Sequence, residues 1–307
     1  MSDGDDVLTV TMNPAVDHTI SLDEPLEAGG VARTDDAQFD AGGKGINVSQ
    51  YLTALDVDAP ATGFLGGSFG LMIQEALDDD GVAHDFVEIA GRTRLNTTIL
   101  SPDGEYKINH DGPLVGGDDV DTLVERVRER SPSRLVIAGS LPRGVDVDAV
   151  DRLARAGPWE TAVDMGGSFL QRLDADYLVC KPNREELGTA TGRDVGTIED
   201  CAAAARVLRE RGFRHVLASL GPDGGLLVSE AEALYAPALP VDVVDTVGAG
   251  DAMLSGFLAG LVRGQPQASA LRTAIVVAAR VVSVPGTRVP SFDDVVADRE
   301  TVEVRSV

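Results

Sequence analysis

The sequence predicts an α/β protein, a three-layer α/β/α sandwich in which helices cover both faces of a mostly parallel sheet, with a small β-sheet lid inserted in it. Three observations carry that expectation. Short runs that are apolar throughout recur along the chain and alternate with helical patterns, as strands buried on both faces do. Two other segments alternate polar and apolar residues around turns, as half-exposed strands do. No internal repeat, low-complexity stretch or Pro/Gly/Ser linker divides the 307 residues.

The buried strands are read at residues 7–12, 135–138, 162–165, 177–180 and 216–220. Helices are read between them at 46–55, 71–77, 120–130, 149–156 and 198–211. The last of these has Thr197 as its N-cap, Asp200 three residues on, and Gly212 to close it. Two longer helical stretches, 250–262 and 268–284, fill the C-terminal third. The half-exposed strands are read as antiparallel pairs, 18–22 with 32–39 and 97–101 with 106–110, around turns such as Pro102-Asp103-Gly104. The main domain then comprises 1–12, 40–91 and 112–307, and the lid 13–39 and 92–111.

An apolar fraction of 43% is that of a globular protein, so a net charge of -24 does not signal disorder. Of 26 basic residues only three are lysines, Lys44, Lys107 and Lys181, and aromatics make up 4%. An acidic, lysine-poor and aromatic-poor chain suits a cytoplasm of high salt, where carboxylates stay hydrated and their repulsion is screened. The same field repels nucleic-acid phosphates and anionic lipid. The longest apolar stretch, 252–262, falls short of the roughly 20 residues that span a bilayer. The N-terminal MSDGDD lacks the basic start and apolar core of a signal peptide. Cys180 and Cys201 form neither a disulfide framework nor a zinc-ligand spacing and read as reduced core thiols.

Chemistry concentrates in a few glycine turns. Asp245-Thr-Val-Gly248-Ala249-Gly250-Asp251 runs straight into an apolar helix. Glycines there let backbone N–H groups converge where the helix dipole favours an anion, and Asp251 stands where it could take a proton from an attacking hydroxyl. Taken alone, a G-x-G-D turn is more often loop geometry than chemistry. Ala41-Gly42-Gly43-Lys44-Gly45-Ile46-Asn47 opens a second helix, where Lys44 and Asn47 could bond hydroxyls or phosphate. Neither turn has the Walker A or dinucleotide spacing. Lys181-Pro-Asn183-Arg-Glu-Glu186 follows a strand at the sheet edge where α/β proteins bind ligands, and Asn183 with Glu186 could hold a hydrated Mg2+. Ser219-Leu-Gly221-Pro-Asp-Gly224 is another strand-end loop, read as a hairpin turn or a nucleotide contact.

Together and in this order, these stretches resemble the phosphofructokinase B (ribokinase-like) family of sugar kinases, from Val7 to about Val289. AGGKGIN at 41–47 and DTVGAGD at 245–251 are its specific signatures. Thr9-Val-Thr-Met-Asn13-Pro-Ala-Val-Asp17, Thr93-Arg94-Leu-Asn96 and Gly139-Ser140-Leu-Pro142 look like its hexose-phosphate branch, and nearest its fructose-1-phosphate kinases. The resemblance implies ATP-dependent phosphorylation of a ketohexose monophosphate, with fructose 1-phosphate first and fructose 6-phosphate or tagatose 6-phosphate as alternatives. A non-catalytic sugar-phosphate sensor is the reading from another class. Carried over by position, Asp251 is the expected base and Gly248, Ala249 and Gly250 the anion hole. Asn13, Asp17, Gly42, Gly43, Lys44 and Asn47 are expected on the sugar, and Arg94 and Ser140 on the phosphate it carries. Lys181, Asn183, Ser219, Gly221, Gly224 and Gly250 are expected on ATP, with Glu186, through water, and Asn183 on Mg2+. K+ stands beside Mg2+ among the implied cofactors. A homodimer through the lid is expected, Arg33 on a lid strand reaching the partner's sugar phosphate. The chain departs from the family's pattern at Arg143 and at Arg280, the latter near the adenine.

Overall fold

The computed structural model describes residues 7–286 and 288–307; the N-terminal hexapeptide, on which the signal-peptide reading rests, lies outside them. The chain begins in β1 (Val7–Thr11), leaves it for β2 (Ala15–Ser21) and β3 (Ala37–Gly42), and returns through α1 (Lys44–Ala54) to β4 (Ala61–Leu65). Helix α2 (Gly67–Asp79) and the short β5 (Val87–Glu88) precede a second excursion, β6 (Arg94–Ser101) and β7 (Gly104–Asn109). There follow α3 (Gly117–Arg130), β8 (Arg134–Ala138), α4 (Val147–Arg155), β9 (Glu160–Asp164), α5 (Gly167–Leu170) and β10 (Tyr177–Cys180). Helices α6 (Arg184–Thr191) and α7 (Ile198–Arg209) lead to β11 (Phe213–Ser219) and the hairpin β12 (Gly225–Val228) and β13 (Ala233–Ala236). Helices α8 (Ala249–Val262), α9 (Gln267–Val281) and α10 (Val295–Asp298) and the edge strand β14 (Arg305–Ser306) complete it.

Ten strands form the main sheet in the order β14-β13-β12-β11-β10-β9-β8-β1-β4-β5. The run from β5 to β11 is parallel, and β12, β13 and β14 are antiparallel. The period-2 alternation of side chains builds a core on each face. Leu8, Val10, Leu135 and Ile137 pack with α3, α4, α6 and α7, whereas Val7, Val136 and Ala138 pack with α1, α8 and α9. This is the three-layer sandwich. No helix among the described residues is long and apolar enough to cross a membrane. Thr197 caps α7 as expected, with Asp200 closing a capping box.

The second sheet has four strands, in the order β3-β2-β6-β7. Its two hairpins are antiparallel, but its central pair, β2 with β6, is parallel, which the reading as antiparallel pairs did not include. The expected strand at 32–39 also starts late, at Ala37. Residues 22–36 form a loop, held where Thr34 Oγ1 accepts from the Asp36 amide, so Arg33 lies on that loop and not on a strand. The register puts Asp17, Asp40, Asn96 and Asn109 in one cross-strand row, and His18, Phe39, Thr97 and Ile108 in the next. Neighbouring rows face opposite ways, so one face of the lid is polar and the other apolar.

Candidate active site

The strand ends that meet at the carboxyl edge of the parallel sheet carry most of the singled-out residues. Just past β1, Asn13 Nδ2 donates to Ser140 Oγ, just past β8, at 3.0 Å. Arg94, the first residue of β6, donates from Nε and Nη2 to the Asn13 carbonyl at 3.2 and 3.1 Å and from Nη1 to Asn96 Oδ1 at 3.4 Å. Burial weakens the hold of this guanidinium on its proton, and the Asp17 carboxylate opposes that effect. Asp17 in turn accepts from Asn96 Nδ2 at 2.8 Å and stands against Gly42, where any β-carbon would collide with its carboxylate. Burial raises the pKa of Asp17, against the Asn96 bond and the charge of Arg94, and Asp40 adds to the rise.

A second cluster lies between the N-termini of α1 and α8. Gly248 adopts φ +76° as the N-cap of α8, a left-handed conformation that glycine takes at no steric cost. The amide of Ala249 is engaged by the Thr246 carbonyl at 3.3 Å, while those of Gly250 and Asp251 have no protein acceptor among the described residues. Two oriented N–H groups at a helix start are suited to an anion. Asp251, 6% exposed, accepts from Asn47 Nδ2 at 2.7 Å. Burial and the negative charge of Asp164 push its pKa up to about 7, against the attraction of Lys44, Asn47 and Lys181. A carboxylate poised there can exchange a proton at neutral pH.

Asp164, fully buried at the end of β9, binds both nearby lysines: Lys44 Nζ at 2.7 Å and Lys181 Nζ at 3.2 Å. Burial works against its charge, but the two ammonium groups outweigh it and hold the carboxyl below the ordinary aspartate range. Burial likewise opposes the charge on Lys44, which Asp164, Asp251 and Glu186 more than restore. A β-carbon on Gly250 would stand 2.9 Å from Lys181 Nζ, so glycine there lets the ammonium lie against the open amides. Sequence reasoning missed Asp164. Its one local signal was a carboxylate closing an apolar strand at the ligand-binding edge of a parallel sheet.

Asn183 and Glu186 form a capping box on α6: Asn183 Oδ1 accepts from the Glu186 amide and Glu186 Oε2 from the Asn183 amide, both at 2.8 Å. The cap occupies the single Asn183 side-chain oxygen but only one of the two on Glu186, so Glu186 Oε1 could take a water of a hydrated divalent cation. Among the described residues no group of three or more His, Cys, Asp or Glu could hold a metal ion. A cation that takes one or two protein oxygens plus water and phosphate fits such a donor set. Ser219 lies beside this loop, its amide bonded to the Pro182 carbonyl at 3.0 Å, and Gly221 begins the turn into β12. Gly224 is not open on that edge but buried in the turn against Ala236 and Ala238, as the hairpin requires. Arg280 is committed to an ion pair with Asp298 of α10, and Arg143 is exposed, its carbonyl accepting from the Val115 amide.

Among the described residues, two asparagine acceptors are left over at this edge. Asn13 Oδ1 and Asn47 Oδ1 are buried without a hydrogen-bond partner. Buried polar atoms seldom stay unpaired, and two lone amide oxygens, one beside Ser140 and Arg94 and the other beside Asp251, suit a ligand rich in hydroxyl donors.

Residues 10–294 match the family model described as pfkB family carbohydrate kinase. The chain is 59% identical over 301 residues to the 1-phosphofructokinase of Haloferax volcanii, covering 98% of this chain and 99% of that one. It is 36% identical over 277 residues to the D-tagatose-1-phosphate kinase of Bacillus licheniformis, covering 87% and 90%. Its fold superposes on phosphofructokinase-2 from Escherichia coli in complex with potassium with a TM-score of 0.89 and 28% identity, covering 96% and 98%. A fold, a polar edge and a sequence that agree over almost the whole chain leave one conclusion: this protein belongs to the pfkB family of carbohydrate kinases.

Proposed function

We propose that this protein is an ATP-dependent kinase that converts fructose 1-phosphate to fructose 1,6-bisphosphate. The observation that carries the chemistry is Asp251: a buried carboxylate with a pKa near 7, held by Asn47 at the helix start where two amides stand open. The 59% identity with a relative named 1-phosphofructokinase supports the acceptor. Bound sugar hydroxyls donate to Asn13 and Asn47 and meet Asp17 beside Gly42, while Arg94 and Ser140 take the phosphate already on the sugar. Asp251 accepts the proton of the free primary hydroxyl as its oxygen attacks the terminal phosphorus of ATP and the bond to ADP breaks. The Gly248–Gly250 turn, Lys44 and Lys181 offset the charge on the phosphoryl group in flight.

Glu186 would hold Mg2+ through water, and the ion supplies charge neutralisation on the ATP phosphates. K+ is proposed as a second, monovalent cofactor. Lys181, Asn183, Ser219 and Gly221 line the ATP side. The polar face of the lid closes over the sugar and excludes water, which would otherwise compete as acceptor. Its apolar face exposes Phe39 and Ile108 beside a hollow of about 710 Å³ lined by His18, Ile20, Ile99 and Arg33. A second copy of the chain covers that face, with Arg33 directed to the partner's sugar phosphate. The charge of -24 suits work in a salt-rich cytoplasm.

The test is coupled kinase activity with ATP and Mg2+ at high salt on fructose 1-phosphate, fructose 6-phosphate, tagatose 1-phosphate and tagatose 6-phosphate. A large preference in kcat/KM for fructose 1-phosphate is expected. The relative named D-tagatose-1-phosphate kinase favours a second reading, in which the C4 epimer is preferred. Turnover of none of them by folded protein would overturn the kinase reading.

A further inference from the structure

One face of α1 presents three side chains in a row to the catalytic edge. Lys44 reaches Asp164, Asn47 reaches Asp251, and Tyr51, one helical turn beyond Asn47, ends against the Gly248 turn. The first two are part of the machinery proposed above; the third is not. Tyr51 is 0% exposed, and its hydroxyl is among the buried polar atoms with no hydrogen-bond partner. A β-carbon on Gly248 would lie 2.5 Å from that oxygen, so the hydroxyl presses directly on the turn. Elsewhere the ring sits in apolar surroundings with Leu52, Phe257 and Val281, and edge-on to Phe292 at 6.4 Å between ring centroids. Burial and the charges of Asp251 and Asp245 make its proton hard to remove, so the group is a donor and not a base. In such a place phenylalanine would pack as well without leaving an unpaired hydroxyl.

The Ala249 amide is spent on the Thr246 carbonyl through a long bond of 3.3 Å, although Ala249 belongs to the proposed anion hole. For that amide to grip a phosphoryl oxygen it must let Thr246 go; Thr246 is exposed in this structure, but closure over sugar and ATP shuts out water and leaves its carbonyl in need of another donor. We infer that Tyr51 is a positioning residue that supplies this donor: as the Ala249 amide turns to the transferring phosphoryl group, the Tyr51 hydroxyl takes over the Thr246 carbonyl. Each hydrogen bond lost in the exchange is replaced by one gained, and the Tyr51 bond exists only in the closed, reacting state. Such an interaction raises kcat without tightening the ground-state complex.

The inference rests on the kinase reading, and wild-type turnover in the same assay tests that reading separately. The variant is Tyr51→Phe, which removes one oxygen and keeps the packing. It is expected to lower kcat about tenfold, leave both KM values within twofold, and raise Tm, because a buried unpaired hydroxyl is gone. A purely structural tyrosine would move Tm and spare kcat. A double-mutant cycle with Gly248→Ala adds a second readout: that β-carbon collides with the hydroxyl, so the cost of Gly248→Ala in kcat should be smaller in the Tyr51→Phe background than in wild type. Unchanged kcat in Tyr51→Phe overturns the inference, as does strict additivity in the cycle.

Discussion

Asn47 and Asp251 stand 204 residues apart in sequence and meet at 2.7 Å. This bond joins the two glycine turns, because Asn47 lies in the first turns of α1 and Asp251 in the first turn of α8. The same carboxylate is raised by burial and by Asp164 and lowered by Lys44, Asn47 and Lys181. Each of these influences can be removed singly, so each makes a signed prediction.

With a pKa of about 7, Asp251 is protonated in mild acid and cannot act as a base. The rate should therefore fall as pH drops through neutrality, with a slope of one on the acidic limb of log kcat. Asp251→Asn should lose on the order of 10²–10⁴ in kcat and the acidic limb with it. Asn47→Ala removes a donor that favours the charged form, so the limb should move to higher pH. A limb that stays in place in Asn47→Ala while kcat changes would assign the ionisation to another group.

Asp164→Asn removes a negative neighbour of Asp251 and leaves the two ammonium groups that lower its pKa. The acidic limb should then move to lower pH, opposite to Asn47→Ala. Asp164→Ala should also destabilise the fold by about 3–5 kcal/mol, because Lys181, 3% exposed at its side chain, would be left buried without its partner. The folded-state pKa of Asp164 is depressed, so its stabilising share is present above the ordinary aspartate range and fades as pH falls through the folded value. Urea unfolding of both variants at two pH values measures these effects together.

Much of this site could be read from the chain because its turns are local. A glycine pair at a helix start and a following Asn or Asp are neighbours in sequence, and AGGKGIN and DTVGAGD carry the whole geometry of each turn. Asp164 is different: its partners lie 120 residues upstream and 17 downstream, and within 160–164 it looks like any strand-end aspartate. The same limit hid the parallel pairing of β2 with β6, which joins two excursions separated by α1, β4, α2 and β5. Alternation revealed that these strands have two unlike faces but not which strands are neighbours. Tyr51 escaped notice because its apolar surroundings match its place in a buried helix, and only the position of its oxygen sets it apart.

Arg94 and Arg143 should separate by their effects on the sugar phosphate. Arg94 is fixed by the Asn13 carbonyl and Asn96, so its orientation is set before the ligand arrives. Arg94→Ala should raise KM for fructose 1-phosphate about 10- to 100-fold with little change in KM for ATP. Arg143 is exposed and near Ser140 in sequence. Arg143→Ala should raise the same KM only a few-fold, and the difference from wild type should shrink as salt rises, because an exposed charge is screened. An unchanged KM in Arg143→Ala at low salt would remove that residue from the phosphate site.

Asp151 offers a control outside the catalytic edge. This carboxylate of α4 is 5% exposed and accepts from the amides of Asp174 and Ala175 and from the Tyr177 hydroxyl at 2.6 Å. It thereby ties α4 to the entry of β10, on which Lys181 follows after Cys180. Asp151→Ala would leave two amides and a phenol without their acceptor, at a cost of about 3 kcal/mol for hydrogen bonds to a charged group. Thermal unfolding should show a clear fall in Tm. Because the variant touches neither substrate nor the groups around Asp251, kcat and KM measured well below the new Tm should match wild type. A KM for ATP that rose in the folded variant would mean that the position of Lys181 depends on this anchor, and would extend the nucleotide site back to α4.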